Sequence, residues 1–176
     1  PIYDAREASA IAHMIMEHLT RKTKIERLLE PASVLTADQK SLLQSYIDQL
    51  SRHRPVQYVL GEAWFAGMKF YVNEHVLIPR PETETLVEHA LFMSLMGMET
   101  TELVIADVGT GTGAIAISLA IHLPAARIYA LDISDDVLDV ASYNIRAHNV
   151  SDRITLVKGD LLAPLPEPVD LVVDNL

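Results

Sequence analysis

The stretch Val104-Ile105-Ala106-Asp107-Val108-Gly109-Thr110-Gly111-Thr112-Gly113-Ala114-Ile115-Ala116 constrains the fold more than any other part of the chain. An apolar run carries an acid near its end, and three alternating glycines lead into an apolar helical pattern. Glycine at every second position lets the backbone bend sharply and approach another group without side chains in the way. The unpaired N–H groups at the start of the following helix point into the same space. A strand, a tight turn and a helix in this order form a cradle for a nucleotide-like group.

Two classes of cofactor compete for such a cradle. Dinucleotide folds usually carry G-x-G-x-x-G, with a pyrophosphate on the helix N-terminus. Here the third glycine arrives one residue early, at Gly113, and Asp107 lies two residues before Gly109. A carboxylate in the turn repels a pyrophosphate and suits a ligand with a cationic sulfonium and an amino group, such as S-adenosylmethionine. A second acid, Asp132, closes the next apolar run, Arg127-Ile128-Tyr129-Ala130-Leu131, where a carboxylate accepts hydrogen bonds from both ribose hydroxyls. The bland alternative is a glycine turn that only packs a helix on a sheet. Spacing, preceding acid and downstream acid agree against it.

Composition narrows the classes further. Of the 176 residues, 49% are hydrophobic, enough for a core in one domain or two small ones. No apolar run reaches the length of a membrane span, and the N-terminus is a charged amphipathic stretch without signal-peptide character. The chain has no cysteine, so it has no disulfide, thiolate nucleophile or thiolate metal site. A cytoplasmic location is the default expectation. Residues 1–75 balance nine Lys/Arg against nine Asp/Glu, whereas residues 76–176 hold five against fifteen, so the net charge of −10 lies wholly in the cofactor-binding part. A protein gripping nucleic acid normally presents a basic face. No direct nucleic-acid binding is therefore expected, and a protein or small-molecule substrate fits better.

The first part of the chain reads as helices. Asp4 with Glu7 forms a capping signal ahead of Ala8, Ile11, Ala12, Ile15 and Leu19 on one face. Thr23 with Glu26 starts a short helix that Pro31 ends, and Thr36 with Gln39 opens a third with Leu42, Leu43, Tyr46, Ile47 and Leu50 inward. Pro55 stops it, giving a helical domain over residues 1–55. A linker over 56–81 follows, with a β-hairpin around Gly67 and an extended segment, Leu77-Ile78-Pro79-Arg80-Pro81. Glu82-Thr83-Glu84 then opens a helix with Leu86, Val87, Ala90, Leu91 and Leu95 inward.

From Leu103 strands and helices alternate: strands at 103–108, 127–131, 153–157 and 169–174, helices at 113–123 and 135–148. Strands joined by helical crossovers imply an α/β class with a Rossmann-like parallel sheet. Residues 82–176 then form the N-terminal part of a cofactor domain. Only four of its strands are visible, and the last would leave an exposed apolar edge. The expectation is a chain that is part of a longer one.

The Asp107–Gly113 turn resembles motif I of S-adenosylmethionine-dependent methyltransferases. The run Arg54-Pro55-Val56-Gln57-Tyr58-Val59-Leu60-Gly61 and the run Val76-Leu77-Ile78-Pro79-Arg80-Pro81-Glu82-Thr83-Glu84 are narrower, and resemble the HemK/PrmC family. The resemblance covers the whole chain. It implies a class I methyltransferase that moves a methyl group to the side-chain amide of the glutamine in the Gly-Gly-Gln loop of peptide-chain release factors, leaving S-adenosyl-L-homocysteine. The family's Asn-Pro-Pro-Tyr motif is matched at Asn175 but departs from it at Leu176. By the resemblance, Asn175 is the catalytic and substrate-clamping residue, its oxygen and the following carbonyl each accepting one N–H of the substrate amide. The resemblance also implies translation termination as the setting, release factors as protein partners, the helical domain as the part that recognises them, and no metal. A monomer is expected.

Single residues carry competing readings. Asp107 either contacts the cofactor's amino group or caps the turn; Gly109, Thr110, Gly111 and Gly113 shape the cradle. Asp132 on the ribose is the firmest assignment. Asp160 after the third strand either contacts the adenine or caps the Leu161-Leu162 turn. Arg80 either orders the way in for the substrate or pairs with Glu82 or Glu84. Phe70 and Tyr71 border the pocket or, with more weight, pack the hairpin core; Trp64 reads as a core anchor. His13, His18, His122 and His148 lack metal spacing and read as solvated or half-buried. Rival functions are an amino-methyltransferase acting on a nucleic-acid base, an NAD-dependent oxidoreductase, and a non-catalytic fragment whose helices bind a partner. The acidic second half and the lack of an aromatic base-flipping array count against the first of these.

Overall fold

The computed structural model describes residues 3–30, 34–97 and 102–175. Two compact units divide the chain, residues 1–61 and 62–176.

The first unit is helical: α1 (Ala5–Thr20), α2 (Lys24–Leu29), α3 (Ala37–Leu50) and α4 (Val56–Leu60). Asp4 caps α1 by accepting from the amides of Arg6 and Glu7, both at 2.8 Å. Thr23–Glu26 and Thr36–Gln39 form reciprocal capping boxes on α2 and α3. Helix α2 ends at Leu29 as expected; Pro31, assigned as its stop, lies outside the described residues. Ile15, Leu19, Tyr46 and Leu50 pack with Val56, Val59 and Leu60 of α4 into one core. The expected inward faces are only partly buried. Ala8, Ala12 and Ile47 are exposed and line an apolar groove of roughly 480 Å³ shared by α1 and α3, and Leu42 is exposed outside it.

The boundary at residue 55 is corrected. Pro55 does not stop the domain; it stands at the N-terminus of α4, which Gly61 ends in the left-handed conformation at φ 67°. Proline before a helix and glycine after it is the ordinary asymmetry of helix ends.

In the second unit β1 (Glu62–Phe65) and β2 (Met68–Tyr71) form an antiparallel hairpin. It is no linker: Phe65 and Phe70 are 1% and 0% exposed and sit in the main core of the unit. Burying a side chain of this size contributes about 1.5–3 kcal/mol. Pairing of Ala63 with Phe70 and Phe65 with Met68 puts those four on the inner face. Trp64 therefore points outward, 61% exposed, with the Lys69 ammonium 5.7 Å above its ring. The core-anchor reading of Trp64 is wrong, and Tyr71 likewise is exposed and packs its ring at a tilt against Tyr143 rather than filling the core.

Helix α5 (Pro81–Gly97) buries Val87, Ala90 and Ser94, the last satisfying its hydroxyl on the Ala90 carbonyl at 2.8 Å. Leu95, expected inward, is exposed with Phe92, Met93 and Met96. Then β3 (Val104–Val108), α6 (Ala114–His122), β4 (Arg127–Asp132), α7 (Asp135–Ala147), β5 (Ile154–Lys158) and β6 (Leu171–Asp174) build a parallel sheet of order β5-β4-β3-β6. Helix α6 is apolar all round, and Ala114 to Ala120 are all buried, as such a helix requires. Strand β6 starts two residues later than expected because Asp170 pairs with Val104 by both backbone and carboxylate. Among the described residues no helix is long and apolar enough to cross a membrane.

Candidate active site

The glycine turn stands at the C-terminal end of β3, and its hydrogen bonds fix its shape. The Thr110 amide donates to the Leu131 carbonyl at 2.9 Å, tying the turn to β4, and the Gly113 amide donates to the Thr110 carbonyl at 2.8 Å. Gly109, Gly111 and Gly113 all have positive φ, of 67°, 55° and 79°. At Gly113 the left-handed backbone is what calls for glycine; a Cβ there would stand 3.3 Å from Ile117 Cδ1 and 3.6 Å from Ala141 Cβ, so α6 and α7 come near each other behind the turn.

Asp107 organises this turn from within. Its Oδ2 accepts from the Thr110 hydroxyl at 2.6 Å and from the Ala116 amide at 3.2 Å. The residue is 0% exposed, and its Oδ1 is buried without a partner among the described residues. Burial pushes its carboxyl up to about 7, and the charge of Asp132 adds to the rise; the bonds from Thr110 and Ala116 oppose it. Since the folded value exceeds the unfolded one, its stabilising contribution is full below about pH 4 and is lost as pH rises to about 7. Asp107→Asn is expected to flatten the unfolding free energy over that interval. Urea denaturation from pH 4 to 8 checks this: wild type should lose a few kcal/mol relative to the variant as pH rises, because each tenfold difference in proton affinity between folded and unfolded chain is worth about 1.4 kcal/mol.

Asp132, at the end of β4, is half-buried and turns toward the same space. Its Oδ1 accepts from the Ser134 amide at 3.1 Å, and its Oδ2 lies 3.5 Å from the Gly111 amide. The Gly159 amide donates to the Asp132 carbonyl at 3.0 Å, which ties the turn after β5 to the end of β4. Asp160 is exposed; its backbone carbonyl, accepting from the Ala163 amide at 3.1 Å, closes the turn that follows β5.

A narrow cleft of roughly 70 Å³ opens on the other side of the turn, lined by Gly109 to Thr112, Arg80, Thr83 and Asn175 among others. Asn175 comes off the end of β6 and donates from Nδ2 to the Thr83 hydroxyl at 2.9 Å. Leu176, the departure from the family motif, lies outside the described residues. Arg80 lines the cleft, and among the described residues it makes no ion pair with Glu82 or Glu84; Glu84 instead accepts from the Ala66 amide at 2.8 Å. Phe65, Leu77 and Thr83 also line the cleft and were not singled out from sequence. Two adjacent apolar residues, Leu77 and Ile78, in an extended segment just ahead of two prolines were the available signal.

Asn144 is the other residue that sequence reasoning missed. It is 1% exposed on α7, accepts from the Tyr71 amide, and donates to the carbonyls of Tyr71 and Thr112. It thus joins hairpin and glycine turn. Of the histidines, His13 and His122 are exposed, and His148 lies half-buried against Phe70 with Nε2 2.9 Å from the Lys69 carbonyl. Among the described residues no group of His, Asp and Glu is placed to hold a metal ion.

Residues 4–61 match the PrmC N-terminal domain, and residues 105–176 match a methyltransferase domain. The release factor glutamine methyltransferase of Chlorobaculum tepidum is 41% identical over 171 residues, which cover 93% of this chain and 58% of that protein. The chain belongs to the PrmC family. A second relative, the release factor glutamine methyltransferase of Flavobacterium psychrophilum, is 38% identical over 176 residues, covering 99% of this chain and 61% of its own length. The chain therefore spans about three-fifths of the length of these PrmC relatives. Among solved structures, the ribosomal protein L11 methylase of Lactobacillus delbrueckii subsp. bulgaricus aligns over 60% of this chain and 51% of its own, at 33% identity and a TM-score of 0.48. The PrmC N-terminal domain ends at Gly61, where the first compact unit ends.

Proposed function

We propose that the second unit binds S-adenosylmethionine and that the full-length protein transfers its methyl group to a release-factor glutamine. The observation that carries this reading is that Asn175 lines the same cleft as Gly109 to Thr112. An acidic, glycine-lined turn and a carboxamide on one cleft suit a cationic methyl donor beside a planar amide.

The donor set fits the cofactor. Asp132 has one close hydrogen bond and free acceptor capacity for ribose hydroxyls. Gly109 and Gly111 offer backbone without side chains, and the Thr110 hydroxyl covers Asp107. Asp107, buried and bonded to the Thr110 hydroxyl and the Ala116 amide, holds the turn from behind rather than touching the ligand directly. Asp160 is exposed and follows Gly159, whose amide is bonded to the Asp132 carbonyl, and it serves as the adenine contact. When bound, the cofactor supplies a methyl group already activated on cationic sulfur, with S-adenosyl-L-homocysteine as the leaving group.

The chain's own task is to make an amide nitrogen react. That nitrogen is a poor nucleophile because its lone pair is delocalised into the carbonyl. Asn175 Oδ1, accepting one substrate N–H, fixes the nitrogen's orientation and favours the pyramidal geometry of attack. Once methylated, the nitrogen would give up its extra proton to water, and the carboxamide of Asn175 would keep the nitrogen's remaining N–H in place. Arg80 flanks the way in, and the helical unit, with its open groove, serves release-factor recognition.

Calorimetry on the full-length protein should show S-adenosyl-L-homocysteine binding and no heat with NAD. Incubation with S-adenosylmethionine and a release factor should add one methyl to the Gly-Gly-Gln glutamine, located by mass spectrometry. Heat with NAD alone, or a methyl on nucleic acid instead, removes the reading.

A further inference from the structure

We infer that Thr83 is a positioning residue that holds the Asn175 carboxamide with its oxygen turned to the substrate, an inference that rests on the function proposed above. A carboxamide has two faces of opposite polarity. Turned one way, Asn175 offers an acceptor to a substrate N–H; turned the other, it offers a donor and repels it. Asn175 itself is exposed at a strand end, where nothing in its own backbone decides between the two.

In the structure the amide side of the carboxamide faces across the cleft. Asn175 Nδ2 donates to Thr83 Oγ1 at 2.9 Å, over 92 residues of sequence, which leaves Oδ1 as the free atom. Thr83 can serve as an anchor because its own place is fixed several times over. It sits in the first turn of α5, where its amide donates to the Arg80 carbonyl at 3.0 Å. The next residue, Glu84, accepts from the Ala66 amide at 2.8 Å and pins the start of α5 to the hairpin turn. One turn on, Val87 and Ala90 are buried at 4% and 5% exposure. The hydroxyl is thus carried on a rigid element, the arrangement a reacting group needs from its support. Thr83 and Arg80 line the cleft together, so the start of α5 shapes both the way in and the polarity of the clamp.

The test uses three variants of the full-length protein and a release-factor substrate. Thr83→Val keeps shape and removes the hydroxyl; kcat should fall about tenfold, as loss of one hydrogen bond at a reacting group allows, while S-adenosyl-L-homocysteine affinity and melting temperature stay level. Thr83→Ser keeps the hydroxyl and should recover kcat to within about threefold of wild type. Thr83→Val placed on Asn175→Ala should add nothing, since the group it orients is gone. A wild-type kcat in Thr83→Val, no recovery in Thr83→Ser, or a further tenfold loss in the double variant would overturn the assignment while leaving the methyltransferase reading intact. A wild-type protein that methylates no glutamine would instead overturn that reading.

Discussion

Asn175→Ala is expected to lower methyl transfer to a release factor by about 10²- to 10³-fold while leaving S-adenosyl-L-homocysteine binding within about twofold of wild type. The magnitude follows from the task assigned to the side chain. Removing one preorganised polar group at a reacting centre typically costs a factor of this size, and misplacing a reacting atom by an ångström costs about 10²-fold. Cofactor affinity should hold because Asp132, Asp160 and the glycine turn lie at the ends of β3, β4 and β5, while Asn175 ends β6. Stability should hold as well: Asn175 is exposed, and its bond to Thr83 is made at the surface. Single-turnover rates and calorimetry on the full-length protein separate the two quantities. An equal loss of both would mean that the carboxamide shapes the cleft, and the clamp would have to lie elsewhere.

The glycine turn and the alternating strands and helices after it were legible because each rests on a local pattern with a physical cause. Three left-handed positions need glycines, a parallel strand buried on both faces needs an unbroken apolar run, and Thr23, Thr36 and Asp4 mark helix starts with oxygens that accept backbone N–H groups. The observed strands begin and end within two residues of the expected ones. Asn175 was singled out only by resemblance, for an asparagine at a strand end is otherwise a common turn residue.

What could not be read turns on tertiary choice. In the hairpin, Ala63, Trp64 and Phe65 are all apolar, so alternation alone leaves the inner face open. The register that pairs Phe65 with Met68 and Ala63 with Phe70 decides it, and sends the largest ring outward. On α5, Ser94 is buried and Leu95 exposed because the face set by Val87 and Ala90 continues through 94, and a serine can hide its hydroxyl on the preceding turn. The five-residue helix after Pro55 did carry a signal, apolar residues at 56, 59 and 60 between a proline and a glycine, but it is too short for periodicity to establish. Thr83 looked like one more polar residue in a helical first turn; its meaning depends on a partner 92 residues away.

Asn144→Leu should cost more stability than any of the substitutions above, about 3–5 kcal/mol by urea denaturation of the full-length protein. Leucine matches asparagine in bulk, so no large cavity opens and the effect isolates the polar bridge. Three backbone groups lose their partner at once: the Tyr71 amide at 2.8 Å, the Tyr71 carbonyl at 3.0 Å and the Thr112 carbonyl at 2.9 Å. Each buried group left unpaired costs about 1–3 kcal/mol, and the part-buried setting of Tyr71 keeps the sum below the upper limit. Set against a typical domain stability of about 5–15 kcal/mol, such a loss is severe. It should also reach the site, because Thr112 sits between Gly111 and Gly113 and the bridge is what ties that turn to the hairpin. Hydrogen exchange at the Tyr71 amide should quicken, and S-adenosyl-L-homocysteine affinity should fall with it. A loss under about 1 kcal/mol would instead mean that Phe65 and Phe70 hold the hairpin by burial alone, with the glycine turn keeping its shape through Asp107 and Leu131.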